Sequence, residues 1–117
     1  MKNQVLVVIG AGGMGQAIAR RLGAGKVVLL ADFNETTLHT AAETLRGDGH
    51  NVTTLPVDVS SHKSVTVLAQ KAAALGSVTQ VAHTAGLSPV QASPAAILAV
   101  DLLGVAHVLD EFGRVIA

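Results

Sequence analysis

The sequence contains no cysteine, no tryptophan and no tyrosine, and its aromatic side chains are limited to Phe33 and Phe112. Without cysteine the chain forms no disulfide, holds no thiolate nucleophile and builds no zinc–thiolate site, which fits a reducing compartment. Without tyrosine it offers no phenol as a general acid or base. Serine nucleophile chemistry is unsupported as well, because no Gly-x-Ser-x-Gly motif occurs.

Charged residues are also scarce, at 14% of the chain, and eight acidic residues balance eight basic ones to a net charge of +0. This balance creates no long-range field, so nucleic acid and acidic membrane surfaces are not expected as partners. No apolar run reaches the roughly 18 residues of a membrane span. The apolar stretch after Lys2 ends at Gly10, too soon for a signal peptide. We therefore expect a soluble, cytoplasmic protein.

What the chain does contain is apolar residues, which make up 50% of its 117 positions, enough to build the core of one domain. Short apolar runs typical of buried strands alternate with helical segments. The expected strands are residues 4–9, 26–31, 51–57 and 78–84. The first expected helix covers residues 14–22, and the second is capped by Asn34 and runs to Arg46. The third is capped by Ser60 and runs to about Leu75, and the last runs from Ser93 to the end. This alternation predicts an α/β, Rossmann-type fold, a four-stranded parallel sheet of order 3-2-1-4 flanked by helices.

The last predicted helix carries one apolar stripe in steps of three and four residues, which is expected to face the core: Leu98, Leu102, Val105, Leu109, Phe112 and Ile116. The fourth strand would form an unpaired edge of the sheet, where another chain can add. We therefore expect a homo-oligomer.

A glycine-rich turn, Gly10-Ala11-Gly12-Gly13-Met14-Gly15, follows the first strand and has the G-x-G-x-x-G spacing at Gly10, Gly12 and Gly15. Gly10 permits the tight turn, Gly12 lets the backbone approach a pyrophosphate, and Gly15 allows close helix–strand packing. The amides at the helix start, those of Gly13 and Met14 among them, would face the phosphates. A plain glycine turn is the alternative, but the position between a buried strand and a helix favours a dinucleotide site.

Asp32 ends the second strand, about 20 residues after the turn, where an acidic side chain can accept hydrogen bonds from the ribose hydroxyls. A 2′-phosphate would meet a like charge there, and no Lys or Arg lies at residues 10–15 or directly after Asp32. The expected cofactor is therefore NAD(H) rather than NADP(H). Alternatively, Asp32 only caps the next helix.

Three further sets of residues each have a functional and a purely structural interpretation. Asp58 could bond the adenine amino group or only cap the helix that starts nearby. Thr84-Ala85-Gly86 could let the backbone approach a ligand at the point where the strand order reverses, or be a simple strand-to-loop turn. The five histidines, at residues 39, 50, 62, 83 and 107, lack the i,i+4 spacing and the cysteine companions of metal sites, so they are interpreted as surface or structural and no metal site is expected.

Together these segments resemble the amino-terminal half of a short-chain dehydrogenase/reductase over essentially the whole chain. The resemblance rests on the glycine turn, Asp32, Asp58-Val59, Thr84-Ala85-Gly86 and the helix with Val100-Asp101-Leu102-Leu103-Gly104. It implies that Asp58 and Val59 contact adenine and that Ala85 and Gly86 line the cofactor. Thr84 and Asp101 stand where the family has Asn, and no catalytic role is assigned to Asp101.

The family's catalysis uses a Ser and a Tyr-x-x-x-Lys motif that follow the next strand, and this chain has no Tyr. The resemblance therefore implies that residues 1–117 are the NAD-binding domain of a truncated enzyme with no catalytic residue of its own. A full-length form would transfer hydride between NAD(H) and a small alcohol or carbonyl substrate. The alternative is a stand-alone regulatory nucleotide-sensing domain of the kind attached to ion-transport proteins.

Overall fold

The computed structural model describes residues 3–84 and 104–115. Within these ranges four strands and four helices alternate. Their bounds are β1 Gln4–Ile9, α1 Gly13–Leu22, β2 Val27–Asp32, α2 Glu35–Gly47, β3 Asn51–Pro56, α3 His62–Leu75, β4 Ser77–His83 and α4 Gly104–Phe112.

The four described strands form one parallel sheet of order β3-β2-β1-β4, so the predicted Rossmann-type architecture is confirmed. Val5 of β1 lies between Val27 of β2 and Val78 of β4. Because the strands are parallel, all four carboxyl ends lie on the same edge of the sheet, which we call the carboxyl edge. Each connection that leaves a strand therefore starts at that edge.

Alternate side chains of the central strands supply two separate cores, one on each face of the sheet. Val5, Val7 and Ile9 point to the face covered by α3 and α4. Leu6 and Val8 point to the opposite face, which α1 and α2 cover. Burial on both faces explains why β1 reads as a continuous apolar run rather than as an alternating one.

Most element ends differ by one residue from the sequence prediction, but the cap of α3 is a correction with a physical reason. Ser61, not Ser60, caps this helix, because its side chain accepts a hydrogen bond from the Ser64 amide. Ser60 is occupied by Asp58, whose Oδ1 atom accepts bonds from the Ser60 amide and hydroxyl. Asn34 caps α2 as predicted, with its Oδ1 accepting from the Thr37 amide.

The predicted stripe of the last helix is also corrected. α4 ends at Phe112 and is followed by a turn at residues 113–115 rather than continuing to the chain end. Phe112 is buried as expected, but Leu109 is 71% exposed, and Val108 and Glu111 are buried instead. The part of the prediction from Ser93 to residue 103, including Leu98 and Leu102, lies outside the described residues, as do Ile116 and the side chain of Val105.

The helices of the described part are short relative to a bilayer. The longest, α3, has 14 residues, and a span needs about 20 apolar ones. Across residues 3–84 and 104–115, no helix combines the length and hydropathy needed to cross a membrane.

Candidate functional site

The predicted site residues within the described ranges lie at the carboxyl edge. The glycine turn follows β1, Asp32 ends β2, Asp58 and Val59 follow β3, and Thr84 follows β4. The sheet order places the glycine turn between the ends of β2 and β4. Ala85, Gly86 and Asp101 lie outside the described residues.

The glycine turn is shaped by backbone geometry at two of its glycines. Gly10 has a φ of 113°, a conformation that residues with a side chain rarely adopt. A Cβ at Gly15 would overlap the carbonyl group of Gly10 and would also press on the Thr84 hydroxyl. The turn is therefore compact where it meets the sheet, and α1 starts directly against the end of β1.

On its outer side the same turn is open. A Cβ at Gly12 or at Gly13 would meet nothing within 4 Å. The first hydrogen bond within α1 runs from the Gln16 amide to the Gly12 carbonyl, so the amides of residues 13–15 have no partner inside the helix. Gly12 is the N-cap residue but has no side chain to satisfy them. An uncapped, accessible helix N-terminus of this kind presents donors and positive potential to an anion.

Asp32 accepts hydrogen bonds from two backbone amides, one of which belongs to this turn. Its Oδ2 atom accepts a 2.7 Å bond from the Ala11 amide, and its Oδ1 atom accepts a 2.8 Å bond from the Asn34 amide. A carboxylate offers about four acceptor positions, so two remain for a ligand. The cap of α2 is Asn34, so the contact of Asp32 with the Asn34 amide is a local turn bond rather than the cap that the sequence alternative assigned to Asp32. The contact with Ala11 ties β2 to the glycine turn.

Thr84 connects the end of β4 to the same turn. Its hydroxyl oxygen lies 3.0 Å from the carbonyl oxygen of Ile9 and 3.3 Å from that of Gly10, and donates towards them. The Thr84 amide also donates to Ile9, at 2.8 Å. These contacts tie the end of β4 to the glycine turn, and the approach to a ligand that is expected of residues 84–86 stays a prediction.

Asp58 and Val59 are placed after β3 but are engaged locally. The Asp58 Oδ1 atom accepts both contacts from Ser60, and the Asp58 amide donates to the Ser64 hydroxyl at 3.0 Å. The Val59 side chain is 5% exposed and belongs to the core under α3 and α4. Asp58 thus forms a local turn before α3, whose cap is Ser61 rather than Asp58. The adenine contact stays a prediction.

Two exposed apolar side chains at this edge were not singled out from the sequence as a pair. Met14 in the glycine turn is 71% exposed, and Phe33, directly after Asp32, is 77% exposed. The signal for Phe33 was available, because it is one of two aromatic residues and directly follows the predicted ribose ligand. A flat apolar surface beside a carboxylate suits the base and sugar of a nucleotide.

Comparison with known proteins identifies relatives of this chain. A family model described as short chain dehydrogenase matches residues 3–109. Among curated proteins, a short-chain dehydrogenase/reductase of Alternaria brassicicola is 48% identical over 116 residues, a match that takes in 99% of this chain and 42% of that protein.

Solved structures show the same fold. A short-chain dehydrogenase/reductase from Burkholderia phymatum in complex with NAD superposes with a TM-score of 0.85 at 29% identity, over 97% of this chain and 44% of that one. A metagenomic short-chain oxidoreductase in complex with NADP gives a TM-score of 0.82 at 28% identity, over 96% of this chain and 56% of that one. The chain thus spans about half the length of these relatives.

Proposed function

Because this chain belongs to the short-chain dehydrogenase family, we propose that it binds NAD(H) at the carboxyl edge of the sheet. It would form the cofactor-binding domain of an oxidoreductase that transfers hydride between NAD(H) and an alcohol or carbonyl substrate. The main support is the pairing of Asp32, which bonds the Ala11 amide, with the uncapped start of α1. The family match favours this function over that of a regulatory nucleotide sensor.

The residues at this edge fit a dinucleotide in three respects. The amides of residues 13–15 supply donors for a pyrophosphate, and the open space above Gly12 and Gly13 leaves room for it. The remaining acceptor positions of Asp32 match a ribose diol. The exposed ring of Phe33 offers a surface for the adenosine moiety. When bound, the nicotinamide would accept or donate the hydride.

The choice of NAD(H) over NADP(H) rests on charge. Asp32 presents a carboxylate where a 2′-phosphate would have to sit, and residues 10–15 and 33–38 contain no Lys or Arg to offset it. The two solved relatives named above were crystallised with NAD and with NADP, so the family admits both cofactors. The discrimination in this chain therefore comes from Asp32.

Isothermal titration calorimetry with NAD⁺ and NADP⁺ tests the cofactor assignment. We expect the chain to bind NAD⁺ at least about tenfold more tightly, a difference of roughly 1.4 kcal/mol. Asp32→Asn removes the charge but keeps one acceptor, and it should shrink the preference by weakening NAD⁺ binding. Asp48→Asn is the matched control, because Asp48 pairs with Arg20 on the surface. Equal affinity of the unmodified chain for both cofactors would refute the role of Asp32.

Turnover by the chain alone is a separate prediction. The 117 residues contain no Tyr, so the general acid and base that the family resemblance implies is missing. We expect the purified chain to bind cofactor and to leave NADH absorbance unchanged with a panel of alcohols and carbonyls. NAD⁺-dependent oxidation of any alcohol by this chain, at a rate above buffer, would contradict the prediction.

The homo-oligomer also stays a prediction, to be measured by light scattering. In the described part of the chain β4 is an edge strand, bonded to β1 alone, and most of its residues are only half-buried. Such an edge presents unpaired amides and carbonyls to another polypeptide segment.

A further inference from the structure

Three side chains with metal-binding groups meet where α3 begins and α4 ends. His62 is the first residue of α3, and Asp110 and Glu111 lie in the last turn of α4. The His62 Nε2 atom lies 3.3 Å from Asp110 Oδ2 and 2.6 Å from Glu111 Oε1. All three ligand atoms lie within 4.8 Å of one another. None of these residues belongs to the glycine turn or to the Asp32 contacts.

The convergence depends on how the two helices pack. Consecutive positions on a helix diverge by about 100° around its axis, so Asp110 and Glu111 do not face each other. Both carboxylates reach the Nε2 atom of His62 only because this residue lies between them on the neighbouring helix. The Glu111 carboxylate is also nearly buried, with 10% of its side chain exposed, whereas His62 and Asp110 are half-exposed. One ligand is thus anchored in the protein, and the other two leave an approach from solvent.

Neighbouring groups orient two of the three side chains. Asp110 uses its other oxygen, Oδ1, to accept from Arg114 Nη2 at 3.4 Å, which leaves Oδ2 for the cluster. The ring of His62 stacks on His107, with ring centroids 5.0 Å apart. His107 is itself positioned by a 3.0 Å contact between its Nδ1 and the Val59 carbonyl oxygen. A hydrogen bond such as the one from Arg114 to Asp110 is what holds metal ligands in place in known sites, and the stacking on His107 restricts the ring of His62.

The donor set selects a class of cation. One imidazole nitrogen with two carboxylate oxygens suits Zn²⁺ and similar divalent transition metals, whereas Mg²⁺ and Ca²⁺ prefer oxygen ligands alone. Ligand bonds of about 2.0–2.1 Å at tetrahedral angles put ligand atoms about 3.3 Å apart. The distance from His62 Nε2 to Asp110 Oδ2 already has this value, and the distance from His62 Nε2 to Glu111 Oε1 would lengthen by less than about 1 Å. The two carboxylate oxygens, which lie within 4.8 Å of each other, would approach by up to about 1.5 Å. Two carboxylates would neutralise the charge of the ion.

We propose that His62, Asp110 and Glu111 form a binding site for a divalent transition-metal ion, with Zn²⁺ the best match. Water would complete the coordination, entering from the exposed side of His62 and Asp110. The bound ion joins ligand residues that are almost 50 positions apart in the sequence, and it therefore stabilises the packing of α4 against α3. The site is structural and does not depend on the dinucleotide.

Calorimetric titration of the untagged, metal-free chain with ZnCl₂ tests the site. We expect one Zn²⁺ per chain and a raised midpoint of thermal unfolding, because the ion binds only the folded form. His62→Gln and Asp110→Asn each remove a ligand at a half-exposed position, so both variants should fold. Each should weaken Zn²⁺ binding by more than about tenfold, the lower limit seen for loss of an outer-shell partner. Co²⁺ should give the d–d absorption bands of a four-coordinate complex.

The control is His39→Gln, which removes an exposed histidine of α2 outside the cluster. It should bind Zn²⁺ as tightly as the unmodified chain and show the same thermal shift. The proposal is overturned if the unmodified chain binds no Zn²⁺, or if His62→Gln and Asp110→Asn bind it with unchanged affinity. Circular dichroism of each variant checks that the fold is retained.

Discussion

Replacing Gly15 with alanine will lower the free energy of unfolding of this chain by about 1–3 kcal/mol, the usual cost of overpacking a rigid interior. The added methyl group would overlap the carbonyl of Gly10, which belongs to the backbone of the turn and cannot rotate away. Either α1 moves outward or the turn after β1 distorts. Urea unfolding followed by far-UV circular dichroism measures the loss of unfolding free energy. Intrinsic Trp or Tyr fluorescence does not serve here, because the chain has neither residue.

Gly13→Ala is the matched control for this effect. Gly13 also lies in the first turn of α1, but a Cβ there meets nothing within 4 Å. Alanine is also a better helix former than glycine by up to about 1 kcal/mol. Gly13→Ala should therefore leave the stability unchanged or raise it. An equal loss in both variants would mean that glycine is needed throughout the turn for flexibility, and the close-packing role of Gly15 would be wrong.

Phe112→Ala will cost about 3–5 kcal/mol of unfolding free energy, as expected for removal of a buried aromatic side chain. Phe112 is 3% exposed and belongs to the core between the sheet, α3 and α4. Since total stability in domains of this size is about 5–15 kcal/mol, such a loss should be visible as a large shift of the urea midpoint.

Leu109→Ala is the corresponding control, three positions earlier on the same helix. Leu109 is 71% exposed, so its truncation should change stability by no more than about 0.5 kcal/mol. The two variants also distinguish the orientation of α4 in the structure from the apolar stripe predicted from the sequence, which placed Leu109 and Phe112 on one buried face. Comparable losses at both positions would favour the stripe and contradict the orientation of α4.

The arrangement of the carboxyl edge was largely predictable because its signals are local. Gly10 must adopt a positive φ and Gly15 must lack a Cβ, so both positions require glycine. The two glycines therefore recur at a fixed spacing that the sequence shows directly. Asp32 follows its strand directly, so its place at the carboxyl edge followed from the parallel sheet. The bond from the Ala11 amide to Asp32 was not predictable, because residue spacing does not show which amide of the turn faces the carboxylate.

The structure differs from the sequence prediction where two local arrangements of the chain are equally favourable. Ser60 and Ser61 could both cap α3, because serine is a common N-cap residue. Ser61 is the cap in the structure because Asp58 binds the Ser60 hydroxyl. In α4, periodicity identified an apolar helix but not its rotation. The position of α3 set that rotation, with Val108 and Phe112 turned inward and Leu109 outward.

By itself the sequence determined the class of fold, the order of the strands, and the glycine turn with Asp32 beside it, because buried strands and tight turns restrict which residues can occupy them. The tertiary structure alone decided which face of α4 is buried and which groups meet across the helices. His62 shows the difference most clearly. Its sequence position indicates only a surface or structural histidine, since its spacing from the other histidines does not match a metal site. Its carboxylate partners lie nearly 50 residues away and reach it only through the packing of α4 on α3.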